Sequence, residues 1–154
     1  RKARDEDLDF IWQNVWCDGE LAKTMLWKPT LTREEAVLRM ERTKALQALH
    51  FAYFVCLKET DEPIGMAGIA EAAPGVYEET GICIARRYQG KGYGRQMMEY
   101  WESVMQRMKY KYVMLSTQED ETAKYFYEKL GYRRIGAFLP PEQEADEIMY
   151  LKTL

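Results

Sequence analysis

The residues best suited to chemistry lie in one short stretch, Gln89-Gly-Lys-Gly-Tyr-Gly94, in which Gly90, Gly92 and Gly94 alternate. A strand-like run, Val76 to Ile84, precedes the loop and a helix-like run begins at Gly92. Glycines let a backbone come close to a ligand, and the N–H groups at a helix start, with the helix dipole behind them, attract anions. The chemistry implied is phosphate or pyrophosphate binding, although a flexible strand-to-helix turn would use the same glycines. Two familiar phosphate loops are excluded. The chain has no GxxxxGK[ST], and its glycines are spaced GxGxG and not GxGxxG. A metal centre or a Ser-His-Asp triad finds few ligands: there is one histidine, His50, and Cys17, Cys56 and Cys83 form no CxxC pair. No metal is expected.

The elements that must position this loop follow from periodicity. Leu8, Ile11, Trp12, Val15 and Trp16 recur at helical spacing from Asp5 to Trp16, and Cys17-Asp18-Gly19 breaks the run. Glu20 to Pro29 is irregular. Thr32 and Glu35 form a capping box for a helix running to about His50. Phe51 to Leu57 and Ile64 to Glu71 read as a hairpin about the turn residues Glu59 to Pro63, and Val76 to Ile84 as a third strand. Gly92 to Met108 is a helix whose apolar face is Met97, Trp101, Val104, Met105 and Met108. Strand Tyr112 to Ser116, helix Glu121 to Leu130 closed by Gly131, and strands Tyr132 to Phe138 and Glu147 to Leu151 complete the chain. The order α-α-β-β-β-α-β-α-β-β predicts a mixed α/β (α+β) fold: a mostly antiparallel central sheet with helices on both faces.

The 154 residues fit a single domain, 1–154, which at this size buries roughly 68–70 % of its unfolded surface and needs no staple. A composition 47 % hydrophobic with a net charge of −3 is globular and disfavours a phosphate-tracking surface, so no nucleic acid is expected as partner. No apolar run approaches the ~20 residues that span a bilayer, no secretory leader opens the chain, and an odd cysteine count suits reduced thiols. A cytoplasmic protein without membrane partners is expected, as monomer or homodimer.

Gln89-Gly-Lys-Gly92-Tyr-Gly94 matches the Q/R-x-x-G-x-G/A signature of the GNAT family of N-acetyltransferases, which bind acetyl-CoA, and Ala123-Lys-Tyr-Phe-Tyr-Glu-Lys-Leu-Gly-Tyr132 resembles that family's A-x-x-x-Y-E-K-L-G-F/Y helix end. The two motifs stand in the family's order with a strand between them, and the element order agrees over nearly the whole chain. Met25-Leu-Trp-Lys-Pro29, ahead of an acidic helix start, leans towards the ribosomal-protein-acetyltransferase-like branch. The resemblance implies that backbone N–H groups of Gln89, Gly90, Lys91, Gly92, Tyr93, Gly94 and Arg95 hold the CoA pyrophosphate. It also implies that Ile82, Cys83 and Ile84 form the strand beside the pantetheine arm, and that Tyr127 hydrogen-bonds or protonates the departing sulfur. Many members carry Asn three residues before the alanine; here Asp120 lacks that amide donor, though its side chain could still cap the helix.

Acetyl transfer to an amine needs a proton removed from the ammonium and one supplied to the thiolate. An alkyl ammonium titrates near ~10.4, so a general base or a water relay helps at neutral pH. Glu79 aligns best with an acidic position some members use, with Glu78 and Glu71 behind it; solvated edge carboxylates are the alternative. Neighbours in a strand face opposite sides, so only one of Glu78 and Glu79 can face a site. Tyr127 shares a helical face with Ala123, Phe126 and Leu130, so a core tyrosine is its alternative role. Met25 and Trp27 could wall an acceptor pocket or be plain core, and Arg86, Arg87 and Lys91 could meet phosphates or be solvated. The expected function is direct acetyl transfer from acetyl-CoA to a primary amine, a small molecule or a protein N-terminus. Acidic Glu71, Glu78 and Glu79 would suit a cationic one. The alternatives are another acyl-CoA donor, a non-catalytic CoA-binding or interaction module, or a nucleotide-binding domain.

Overall fold

The computed structural model describes all residues except 26, 50, 51, 74 and 75, and the side chains of 73 and 79. The chain opens with a helical segment of changing pitch: a 3-10 turn at Asp5–Asp7, α1 at Leu8–Ile11 and a π turn at Trp12–Trp16. The π turn closes with the Cys17 N–H on the Trp12 carbonyl at 3.0 Å. The wider turn brings Val15 and Trp16, neighbours in sequence, both to the core side with Ile11. Helix α2 (Gly19–Thr24) occupies what reads as an irregular stretch. Asp18 explains it: its carboxylate accepts from the N–H groups of Glu20 and Leu21 and starts the helix that the glycine alone would discourage. The helix order is thus longer by one than periodicity suggests.

Helix α3 (Arg33–Ala48) begins as expected, with the Glu35 N–H donating to Thr32 Oγ1 and the Glu35 carboxylate accepting from the Thr32 N–H. Ala36, Met40, Thr43 and Gln47 form its buried face. The expected end at His50 lies outside the described residues. Strands β1 (Ala52–Cys56), β2 (Pro63–Ala73), β3 (Val76–Ile84), β4 (Tyr112–Gln118), β5 (Arg133–Phe138) and β6 (Glu147–Thr153) form one sheet in the order β1-β2-β3-β4-β6-β5. β1 with β2, β4 with β6 and β5 with β6 pair antiparallel; β3 and β4 pair parallel, from Val76 opposite Tyr112 to Glu79 opposite Leu115. The mixed, mostly antiparallel sheet is as expected.

Helix α4 (Tyr93–Arg107) turns a slightly different face inward. Met98, Trp101 and Met105 are buried, Met97 is only half-buried and Met108 is 54 % exposed. Spacing alone does not separate two adjacent methionines, and the helix settles with Met98 on the core side. Helix α5 (Ala123–Lys129) follows β4. The chain divides into two compact units, residues 1–69 with 81–97 and residues 70–80 with 98–154, so β2, β3 and α4 each run from one unit into the other. The first unit centres on Ile11, Val15, Trp16, Met40, Phe54 and Cys83. The second buries Trp101, Met105, Val113, Leu115, Tyr127, Ile148 and Tyr150. No helix among the described residues is long and apolar enough to cross a membrane.

Within the first unit Gly65 of β2 lies against β3 so closely that a Cβ there would stand 2.1 Å from the Cys83 carbonyl oxygen. Both contacting atoms belong to paired strands and cannot give way cheaply. Gly65→Ala is therefore expected to cost about 3 kcal/mol in denaturant unfolding; a loss under about 0.5 kcal/mol would show that β2 and β3 yield there.

Candidate active site

The first unit holds the glycine loop. Past β3, Ala85 donates its N–H to the Ile64 carbonyl at 2.7 Å, a 3-10 turn spans Arg86–Tyr88, and the loop runs from Gln89 into α4. Gly90 and Gly92 have φ of +72° and +86°, the left-handed region that side chains avoid. A Cβ at Gly90 would meet nothing within 4 Å, and one at Gly92 only the Gln96 amide at 3.9 Å. The glycines are thus required by backbone conformation and not by crowding, and the surface they present is open. The first helical bond joins the Gln96 N–H to the Gly92 carbonyl, so the N–H groups of Tyr93 and Gly94 precede the intrahelical ladder. N–H groups so placed, with the dipole of α4 behind them, are able to receive an anion.

Gln89 acts through its side chain as well. Its Nε2 donates to the Ile84 carbonyl at 2.8 Å, tying the loop back to the end of β3. That bond uses one lone pair of a carbonyl expected to meet a bound arm, and a carbonyl has two. Cys83 and Ile84 bury their side chains. The basic residues are mostly engaged within the unit. Arg86 pairs with Asp18 at 2.5 Å and Arg87 with Glu62 at 3.3 Å, while the Lys91 ammonium sits 5.2 Å from the centre of the Tyr88 ring. The Tyr88 hydroxyl also donates to Glu62. Arg86 and Arg87 thus brace the turn, and Lys91 lies between the two positive-φ glycines.

Met25 flanks the same strand, and Trp27 packs against the core of the same unit. The Met25 methyl is 2.9 Å from where a Cβ on Gly81 would stand, so glycine there makes room for it. Both side chains are half-buried against the first unit's core.

The second unit holds the acid–base candidates. Tyr127 on α5 is 7 % exposed, its ring packed edge-on against Phe126 and Tyr132 and tilted against Tyr150, with centroids 5.3, 6.1 and 6.5 Å away. Its carbonyl accepts from the Leu130 and Tyr132 N–H groups, so the helix end fixes the residue at both backbone and ring. Asp120 does not cap α5: the cap position is Thr122, whose side chain makes no capping bond. Glu71 is exposed near Tyr77, whose hydroxyl lies 3.3 Å from that of Tyr110. Glu78, opposite Met114, is half-buried; burial pushes its carboxyl above the ordinary range and the charge of Glu147 adds to the effect. Glu147 has a buried Oε2 with no hydrogen-bond partner among the described residues. Glu147 carries no signal in the sequence; only β6 pairing brings it near. The backbone of Glu79 pairs opposite Leu115, and its side chain lies outside what the structure describes. No cluster of His, Cys, Asp and Glu that could hold a metal occurs among the described residues.

This geometry agrees with the family relationships. The model of the acetyltransferase (GNAT) family matches residues 11–132, and the chain belongs to that family. It is an acyltransferase by that membership, and the family's fold binds acetyl-CoA or CoA, which the open, positive-φ glycine turn fits. A GNAT-family acetyltransferase from Bacillus anthracis is 21 % identical, with a TM-score of 0.79 over 99 % of this chain and 92 % of that one. Spermidine N-acetyltransferase from Vibrio cholerae, solved with CoA and spermine, is 19 % identical, with a TM-score of 0.77 over 99 % and 93 %. A ribosomal-protein-alanine N-acetyltransferase from Brucella melitensis is 14 % identical, with a TM-score of 0.70 over 100 % and 98 %. No curated protein sequence matches the chain.

Glu78 gives a test of the second unit's electrostatics. Its raised pKa means the folded chain holds the proton more tightly than the unfolded one, whose carboxyl titrates near 4.5. The residue therefore favours folding most below that value and loses this as pH rises through the raised pKa. Glu78→Gln should raise Tm at neutral pH, with the gain disappearing near about pH 4. A gain of equal size at both pH values would show that the carboxylate is not strained.

Proposed function

We propose that the protein transfers the acetyl group of acetyl-CoA directly to a primary amine, a small molecule or a protein N-terminus. The observation that carries this is the Gln89–Gly94 turn, whose backbone conformation and open surface suit a pyrophosphate on the start of α4. Gln89, Gly90, Lys91, Gly92, Tyr93, Gly94 and Arg95 are its proposed ligands, with the backbone of Ile82, Cys83 and Ile84 beside the pantetheine arm.

Tyr127 is proposed as the proton donor to the leaving thiolate. Its motif is the family's, and three neighbouring rings hold it in one orientation, which a positioned acid requires. The base is proposed to be Glu79 by alignment, with Glu78 and Glu71 as the other carboxylates and a water relay as the remaining route. Glu78 gains support from its environment: a carboxylate held above its ordinary range accepts a proton more readily near neutral pH. Met25 and Trp27 are proposed to wall the acceptor side, next to Gly81. The relatives that act on spermidine and on ribosomal-protein alanine both present an amine to the acetyl group, which supports the amine class without choosing between them.

Tyr127→Phe removes only the hydroxyl. Turnover on an accepted amine should fall about 100-fold or more, with acetyl-CoA affinity within about twofold of wild type. Unchanged turnover would remove the acid role from Tyr127.

A further inference from the structure

Arg39, on α3 in the first unit, is a half-buried cation with no carboxylate at ion-pair distance among the described residues. Its guanidinium carbon lies 4.3 Å from the centre of the Trp27 ring and 5.0 Å from that of Trp16. Its hydrogen bond within the described structure runs from Nη1 to Thr30 Oγ1 at 3.0 Å. The chain has 25 acidic residues, yet none of those described forms an ion pair with this group. Its charged neighbour is instead a second cation, the exposed Arg42 one turn along. Withdrawing a charge from water is costly without a counter-charge, and stacking on aromatic faces offsets only part of that cost.

A second donor at the same place also lacks an acceptor. Trp27 Nε1 is buried and bonded to nothing among the described residues, on the ring against which Arg39 stacks. The position matters as much as the charge. Arg39 lies beside Cys83 of β3, and Met25, close to Trp27 in sequence, seats its methyl on Gly81 of the same strand. Arg39 is half-buried, so the group is not sealed from solvent, and its guanidinium lies over two indoles. A planar, oriented fork with donors to spare is built for a carboxylate, which it can bind through two parallel hydrogen bonds.

We propose that Arg39 is a specificity-determining residue that binds a carboxylate carried by the acceptor amine, so that the acceptor class is amino acids. This rests on the amine-acetyltransferase function proposed above, and names its substrate. One guanidinium fork over neutral aromatic rings, with Arg42 exposed one turn along, suits a single carboxylate. Trp27 forms one wall of this subsite, and its unbonded N–H is available to the same ligand.

The test is equilibrium binding, read from tryptophan fluorescence with CoA present, of a panel of α-amino acids and their carboxamides. Wild-type protein, Arg39→Lys and Arg39→Met are compared, the last keeping much of the side chain's apolar bulk. Wild type should bind at least one amino acid about tenfold or more tightly than its carboxamide, a difference expected of a hydrogen bond to a charged group. Arg39→Met should abolish the difference and leave the carboxamide's affinity unchanged, and Arg39→Lys should keep part of it. Equal affinity for acid and amide in wild type, or a preference that survives Arg39→Met, overturns the proposal. If Arg39→Met does not fold, the wild-type comparison and Arg39→Lys decide alone. Failure of every amine to be acetylated would instead overturn the proposed activity, and the binding comparison would still decide the role of Arg39.

Discussion

The site depends on how one strand is joined to one helix. β3 must end, reverse and release α4 so that the first N–H groups of the helix, ahead of its hydrogen-bond ladder, adjoin an open glycine turn. Two features achieve this. Gly90 and Gly92 take positive φ, which turns the backbone without a side chain in the concavity. The Gln89 side chain then bonds back to the Ile84 carbonyl and fixes the loop to the strand it has just left. An anion site made of backbone dipoles is only as good as their orientation, so this bond is a positioning interaction for the whole cradle.

Around that junction the first unit spends its charges on bracing. Arg86 with Asp18, and Arg87 and Tyr88 with Glu62, anchor the 3-10 turn from either side. Asp18 serves twice, as the start of α2 and as the partner of Arg86, which links the Met25–Trp27 segment to the turn before the cradle. Arg39 is the exception, a cation over two indoles with no ion pair among the described residues. In the second unit the aromatic packing of Tyr127 with Tyr132 and Tyr150 fixes a hydroxyl-bearing ring, and burial with Glu147 nearby raises the proton affinity of Glu78. A held hydroxyl and a carboxyl of raised proton affinity are the kinds of group that the acid and base roles proposed above call for.

Much of this was legible in the chain. The GxGxG loop, the capping box at Thr32 and the Ala123–Tyr132 segment are local signals, each set by residues within one turn or loop, and their elements form where the spacing places them. The misses have physical causes. α2 is started by a side-chain cap at Asp18 that outweighs an unpromising glycine. Met98 replaces Met97 and Met108 on the buried face of α4 because neighbouring positions of similar hydrophobicity are separated only by packing. Asp120 does not cap α5, whose cap position falls at Thr122. The approach of Glu147 to Glu78 and of Arg39 to Cys83 is long-range, brought about by strand pairing and by α3 packing, and no local pattern encodes it.

The central claim is that the Gln89–Gly94 turn is a CoA pyrophosphate site. The most direct measurement is a thermal-shift titration with acetyl-CoA, with CoA, ATP and NAD as controls. A ligand at ~100 times its Kd adds ~2.7 kcal/mol, so a saturable rise of roughly 5–10 °C with acetyl-CoA and CoA, and none with ATP or NAD, is the expected result. Cooperative melting that no concentration of acetyl-CoA or CoA displaces would contradict it, and the glycine turn would then be only a connection between β3 and α4.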